Sequence, residues 1–437
     1  MSTIDQFQYS LRQIWGSSLN LMDFLYNILN LNFLYDILNF EFIVIVSLIV
    51  VTLYLRLEPL KVGLLFLHLT VIFLLNSVLF NPSYFGDQFG YTIATQMIRD
   101  SFKTLSFQEI SGFSMEMHDS TIKGFLNPLG ACGLIFALMP IPFINSIQSI
   151  CMINYLLFLL LFVFIKKRFI SNNLLEYFFL SFPSLLLYSS LALRETIILV
   201  IMFFSIYTIL IKERNVLGLL ISLPLLIIKF QNFFIIVLSF ILYTLLKRHN
   251  KIINTTLALI ILFGIFLPEK IPIIGGYYNR IDELRLALLA ENMVKVTGKF
   301  YDWEAARALY EPLGSGISLV FLVIKNFFYM LLKPLPWEIK NPFHVVQSIE
   351  NIVIFIMLII LNTKKITFHR IRNKILFLNI FLFVSMSIYG LVVFNFGTAA
   401  RYKFTFIVIY FVFFFIFLQF DKILKIYILK GKFSVEK

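Results

Sequence analysis

Long apolar runs separated by short basic clusters make up most of this chain. The first clear runs fall at about 38–55 and 62–80, joined by RLEPLK. Others follow at about 126–143, 147–165, 174–193, 196–211, 216–228, 233–246 and 252–268, then at 315–332, 349–362, 375–394 and 404–420. Many reach the roughly 17–25 residues that a transmembrane helix needs. The pattern predicts an all-α polytopic membrane protein, one membrane domain over 1–437, with about 11 transmembrane helices plus two re-entrant or interfacial ones. Residues 1–37, where Asp23 and Asp36 interrupt an apolar pattern, predict an interfacial amphipathic segment. Two long polar stretches, 81–123 and 269–314, read as loops.

The basic clusters orient the runs. KKR at 166–168, KERN at 212–215, KRHNK at 247–251, the stretch 364–374 and the tail carry the Lys/Arg excess expected of cytoplasmic loops. That layout puts both long polar stretches, Arg194-Glu195, the step Lys229-Phe230-Gln231-Asn232 and the turn at Arg401 on the opposite, extracytoplasmic face. Sidedness requires an odd number of crossings between 81–123 and KKR, and again between 269–314 and 364–374. Each interval holds two apolar runs and a pair of prolines, Pro140 with Pro142 and Pro334 with Pro336. One run in each pair is therefore expected to be re-entrant or interfacial, which is tolerated where protein covers the backbone or a cavity is lined.

Composition agrees with this reading. The chain is 59% hydrophobic, 14% charged and contains 52 Phe, against nearer half and a quarter for a soluble domain. A net charge of +13 would suggest nucleic acid in a soluble chain, but here the cations sit between apolar runs, so no nucleic-acid partner is expected. Cys132 and Cys151 both lie in apolar runs, so neither a disulfide framework nor a metal spacing is expected. The N-terminus lacks a basic region leading into an apolar run and a small-residue cleavage site, so no removable signal peptide is expected.

Ionisable groups beside a bilayer are costly and mark candidate sites. Arg194-Glu195 stands between two apolar runs with no polar loop around it. It reads either as a self-compensating pair anchoring a hairpin or as a phosphate grip, with Glu195 orienting or accepting a proton. Asp87, in GDQFGY, suits a general base on a hydroxyl or a divalent ion beside a phosphate, or else is a solvated loop acid. Tyr91 lies four residues on, on the same face if the segment is helical. Lys229 with Gln231 and Asn232 forms a polar cluster that an ordinary helical turn does not need, although a snorkelling Lys is the plain alternative. Arg401, on the extracytoplasmic side of the layout, is a candidate anion ligand. Of the 269–314 arginines, most belong to a solvated face, and Arg280 is the candidate for function. Trp337 reads as an interfacial anchor. His68, His118, His249, His344 and His369 show no ligand spacing, and P-loop, HExxH and GxSxG motifs are absent from the sequence.

GDQFGY in the first long polar stretch, FPSLLLYSSLALRE at 182–195 and GTAARYK at 397–403 resemble motifs of bacterial polysaccharide enzymes of the membrane. These are the O-antigen and capsule repeat-unit polymerases, within the wider GT-C class of glycosyltransferases. The resemblance implies a GT-C-like fold in the bacterial inner membrane, with the active face extracytoplasmic and a polyprenyl-linked glycan as substrate. It implies Asp87 as base, and Arg194 and Arg401 on the donor phosphate. No cofactor is implied; where the GT-C class has paired acids, Gln88 follows Asp87 here, and a divalent metal stays open. A chain-length regulator or a flippase is the partner this class would have. Alternatives are a GT-C transferase adding one sugar from polyprenyl phosphate, and a lipid-linked glycan flippase.

Overall fold

The computed structural model describes residues 31–73, 86–104, 114–117, 120–123, 127–144, 146–169, 173–247, 279–290 and 303–429. Apart from one antiparallel ribbon, β1 (Ser114–Met117) with β2 (Ser120–Lys123), every regular element among them is helical. Six helices are long and apolar enough to cross a membrane: Leu34–Leu55, Ile147–Arg168, Phe230–Lys247, Pro342–Asn362, His369–Val392 and Phe396–Ile426. In a bilayer a helix pairs all its backbone groups within itself, which is why run length alone foretold these elements. Two units divide the chain between Phe233 and Phe234.

In the first unit, α1 (Leu31–Ile49) continues as a π-helical turn, Val50–Leu55, and α2 (Pro59–Phe73) follows. The boundary expected at residue 37 falls inside α1, because Asp36 finds partners: Ser146 Oγ at 2.5 Å and Ser149 Oγ at 3.1 Å bury its carboxylate. Most of the expected interfacial segment, residues 1–30, lies outside the described residues. The stretch read as a polar loop contains α3 (Gly86–Thr104), a packed helix. Its buried face, Gln88, Tyr91, Ala94, Thr95 and Ile98, follows the helical i, i+3, i+4, i+7 spacing. It crosses α4 (Pro128–Ala137) so closely that a Cβ at Gly133 would lie 3.0 Å from Ala94. With ten residues, α4 is about 15 Å long, half of a hydrocarbon core. The next helix, α5 (Ile147–Arg168), has length enough to cross.

After α5 come α6 (Asn173–Ser181) and α7 (Pro183–Ser189), so the run at 174–193 is broken rather than continuous. Pro183 has no N–H and holds Phe182 extended at ψ 113°, which ends α6. Then follow α8 (Glu195–Leu210), α9 (Asn215–Ile221) and α10 (Leu225–Ile228). Pro224 lies at the division between α9 and α10, and the run at 216–228 is accordingly two short pieces. The ends of α2, α5 and α6 meet in an ionic cluster. Glu176 accepts from Lys166 at 2.5 Å and forms an ion pair with Lys61 at 2.7 Å, and Lys61 also donates to Asn173. RLEPLK and KKR, placed on one side by charge, are therefore at one end of this unit.

In the second unit the elements are the rest of α11 (Phe230–Lys247), α12 over 279–290, α13 (Trp303–Leu309), α14 (Ile317–Leu332), α15 (Pro342–Asn362), α16 (His369–Val392) and α17 (Phe396–Leu429). On α14 and α15 much of the apolar surface is turned outward. On α15, Val346, Ile349, Val353, Ile356 and Ile360 form an exposed stripe, while Ser348, Glu350 and Asn351 are buried. Such a helix would be inverted in water and fits a lipid solvent. The last helix is buried almost all round, with every residue from Phe404 to Phe417 in the core. It begins at Phe396, so the expected polar turn at 395–403 is helix, capped by Asn395 Oδ1 on Thr398 N at 2.7 Å.

Small residues set the helix approach, as is usual in membranes. A Cβ at Gly390 of α16 would come 2.2 Å from the Asn326 carbonyl oxygen of α14, which a rigid backbone cannot yield. Gly390→Ala is expected to cost about 1–3 kcal/mol and lower the melting temperature in detergent. Gly63→Ala, whose new Cβ meets nothing within 4 Å, should leave it level or raise it.

Candidate functional site

The turn at 190–194 lies between α7 and α8, and the flanking helices pair only its ends, Ser190 N with the Leu187 carbonyl and the Arg194 carbonyl with Ile198 N. Two buried amides from other helices meet the backbone between them. Asn154 of α5 donates from Nδ2 to the carbonyls of Leu191 at 2.7 Å and Leu193 at 2.8 Å. Gln88 of α3 accepts from Ala192 N at 2.7 Å. An irregular backbone survives away from water only when its polar groups are met in this way. Each amide retains a second polar atom, Gln88 Nε2 and Asn154 Oδ1, buried without a hydrogen-bond partner among the described residues, and Thr196 Oγ1 is a third. Such atoms cost free energy unless water or another polar group meets them.

Arg194 closes the turn. It is half-buried, and its Nη1 donates at 2.9 Å to the Ile228 carbonyl, an otherwise orphaned acceptor at the end of α10. Glu195 is the first residue of α8, where a carboxylate suits the positive helix end, and is 2% exposed. The thiol of Cys132, on α4, lies within electrostatic range of both. Lys229 is buried at the break between α10 and α11, with φ −161° and ψ 81°. Of its neighbours, Asn232 is buried and reaches Met202 Sδ at 3.3 Å, whereas Gln231 is exposed. Two cations, a carboxylate and unmatched amide groups thus collect where two membrane segments break.

Asp87 is the second residue of α3, beside Gln88; its side chain lies outside the described residues. Through Gln88 the structure brings GDQFGY against FPSLLLYSSLALRE. Tyr91 is 2% exposed and packs edge-on against Phe136 at 6.4 Å, a core position. The turn stands well away from the ionic end. Asn154 precedes Lys166 by twelve residues on α5, about 18 Å along the axis. It lies seven residues inside the start of α5, about 10 Å.

Arg280 and Arg401 belong to the second unit. Arg280 is exposed near the start of α12, and Arg401 is half-buried, 5.9 Å from the Tyr402 ring. Among the described residues the buried cations there are Arg285 and Lys403. Arg285 donates to the Leu391 carbonyl at 2.8 Å and to Tyr310 Oη and the Glu311 carbonyl at 3.3 Å. Asp282 binds Tyr310 Oη at 2.5 Å and Leu313 N at 2.9 Å. Burial, with the Asp282 carboxylate next in effect, raises the Tyr310 phenol above its ordinary value. Lys403 donates to Asn351 Oδ1 and to the Leu331 carbonyl, and Asn351 in turn caps the carbonyls of Leu332 and Lys333. These groups hold helices together.

Sequence reasoning missed Gln88 as a structural partner and Asn154 altogether. A lone Asn inside the 147–165 run was the available signal, since a polar side chain mid-run needs an internal partner. Among the described residues no group of three His, Cys, Asp or Glu could hold a metal ion. The chain matches no protein-family model, no curated protein and no solved structure.

Proposed function

We propose that this chain is a glycosyltransferase of the bacterial inner membrane, acting at its outer face on polyprenyl-linked sugars as the repeat-unit polymerase of a surface polysaccharide. The observation that carries the reading is the broken-helix site at 190–196 and 228–232. Its Arg194 and Lys229 suit the two phosphates of a lipid diphosphate, and its buried amides suit hydroxyls. Arginine's planar fork matches phosphate oxygens and lysine adds a point charge. The sequence resemblance supports the same assignment. In the arrangement proposed, about 11 helices cross the bilayer in a GT-C-like layout. The 126–143 run, of which α4 forms about 15 Å, is re-entrant.

The reaction is inverting transfer. An acceptor hydroxyl attacks the anomeric carbon and forms the new glycosidic bond, while the bond to the diphosphate oxygen breaks and its electron pair stays on the diphosphate. Asp87 takes the hydroxyl proton, with Glu195 as the second candidate. Arg194 and Lys229 stabilise the charge that develops on the leaving diphosphate, in a setting from which water is largely excluded.

Surface-glycan gels of a deletion strain test this. The ladder is expected to collapse to a single repeat unit, restored by the wild-type gene and not by Asp87→Asn. A ladder of normal spacing with altered mobility would indicate addition of one sugar instead. Unchanged glycan would overturn the reading.

A further inference from the structure

A cavity of about 740 Å³ opens in the first unit, away from the Arg194 turn. Tyr35 at the start of α1, Gln96, Asp100 and Phe102 on α3, and Phe143 just before α5 line it. Arg99 also borders the cavity, but its guanidinium is committed to backbone. Nη2 donates to the carbonyls of Ile141 at 2.7 Å and Met139 at 3.4 Å, and Nη1 to that of Pro142 at 3.4 Å. Those three bonds hold the 139–142 corner, which carries Phe143 into the wall. The Phe143 ring packs on Tyr35 at 4.5 Å and 30°, giving a continuous aromatic surface.

The lining has a definite chemistry. Among the described lining residues one cation, held by backbone carbonyls, stands beside one carboxylate, so they carry no net charge toward an anion, unlike the Arg194 turn with its Lys229. Aromatic faces beside an amide and a carboxylate suit a ligand with both apolar C–H faces and many hydroxyls. The volume lies within the roughly 300–1,000 Å³ of ordinary ligand sites, enough for an oligosaccharide. We infer that this cleft binds a neutral, hydroxyl-rich glycan chain and presents it to the Arg194 turn. Helix α3 joins the two places. Gln88 touches the turn and Asp100 lines the cleft, twelve residues and about 18 Å further along the helix. Naming the glycan as the acceptor rests on the glycosyl-transfer reading; its chemical class rests on the cleft alone.

The test uses the full chain purified in detergent. The probes are a neutral oligosaccharide released by mild acid from the host's surface polysaccharide and, separately, inorganic pyrophosphate. Saturation-transfer NMR and titration are expected to show oligosaccharide binding that Tyr35→Ala and Asp100→Asn each weaken tenfold or more. Tyr35→Phe, which keeps the ring, should bind within twofold of wild type, and pyrophosphate binding should not change in any of the three. Asp100 is exposed, so Asp100→Asn keeps the test open if Tyr35→Ala fails to fold. Oligosaccharide binding indifferent to the cleft variants, or absent while pyrophosphate binds, would overturn the cleft assignment and leave the transferase reading standing. Cleft-dependent binding together with an unchanged glycan in the deletion strain would sink the transferase reading and keep the cleft.

Discussion

Arg194→Ala is expected to abolish polymer in cells while the protein remains in the membrane. Removing one electrostatic stabiliser of a developing negative charge costs roughly 100- to 1,000-fold in rate, enough to erase a glycan ladder. The substitution also leaves the Ile228 carbonyl without its 2.9 Å donor, and a hydrogen bond from a charged group is worth about 1.5–3 kcal/mol. A purely structural role would therefore also reduce output, through lost protein. Two readouts separate these causes. Membrane content and melting temperature report the structural part. Arg194→Lys keeps the charge but not the fork, so it should recover stability more fully than activity. Undiminished polymer length in Arg194→Ala would remove this residue from the chemistry.

Glu176→Gln should give the largest loss of stability. The Glu176 side chain is 3% exposed and stands between Lys61, 2% exposed, and Lys166, 17% exposed. Taking away the carboxylate leaves Lys61 buried beside a like charge. Breaking a buried pair in this way costs about 3–5 kcal/mol, because the surviving ion keeps its desolvation penalty. The partly exposed Lys166 can turn to water, whereas Lys61 is left with Glu58 at 3.5 Å, Asn173 at 2.9 Å and the Tyr177 ring at 5.1 Å, none of them a buried carboxylate. Lys61→Met added to Glu176→Gln should recover much of the loss, since both charges then leave together. The measurement is thermal unfolding of the single and double variants in detergent. A single variant as stable as wild type would show that the cluster is solvated in solution.

Both variants act at places that the sequence marks unequally. Arg194-Glu195 was conspicuous because no polar loop surrounds it in the chain. Glu176 was inconspicuous, an acid eight residues after KKR at the mouth of an apolar run. Its importance comes from Lys61, 115 positions earlier, and no local pattern announces that pairing.

The sequence by itself determined the solvent and the helical character of the apolar runs. In lipid a helix satisfies its own backbone whatever its neighbours do, so apolar run length and the basic ends between runs announce helices without knowledge of packing. What only the tertiary structure decided is where helices stop and which polar groups go inside. The run at 174–193 looks continuous, yet it breaks at 182 and again at 190–194, and the second break is stable only because Asn154 and Gln88 arrive from other helices to meet its backbone. The stretch 86–104 looks like a loop by hydropathy, yet its Gln88 to Ile98 face is buried because α4 offers Gly133 for close approach. Lys403 looks like the polar start of a span, yet it is buried because Asn351 and the end of α14 receive its ammonium. In each case a polar group is carried by a partner far away in sequence, and pairing at such separations depends on the folded arrangement rather than on local composition.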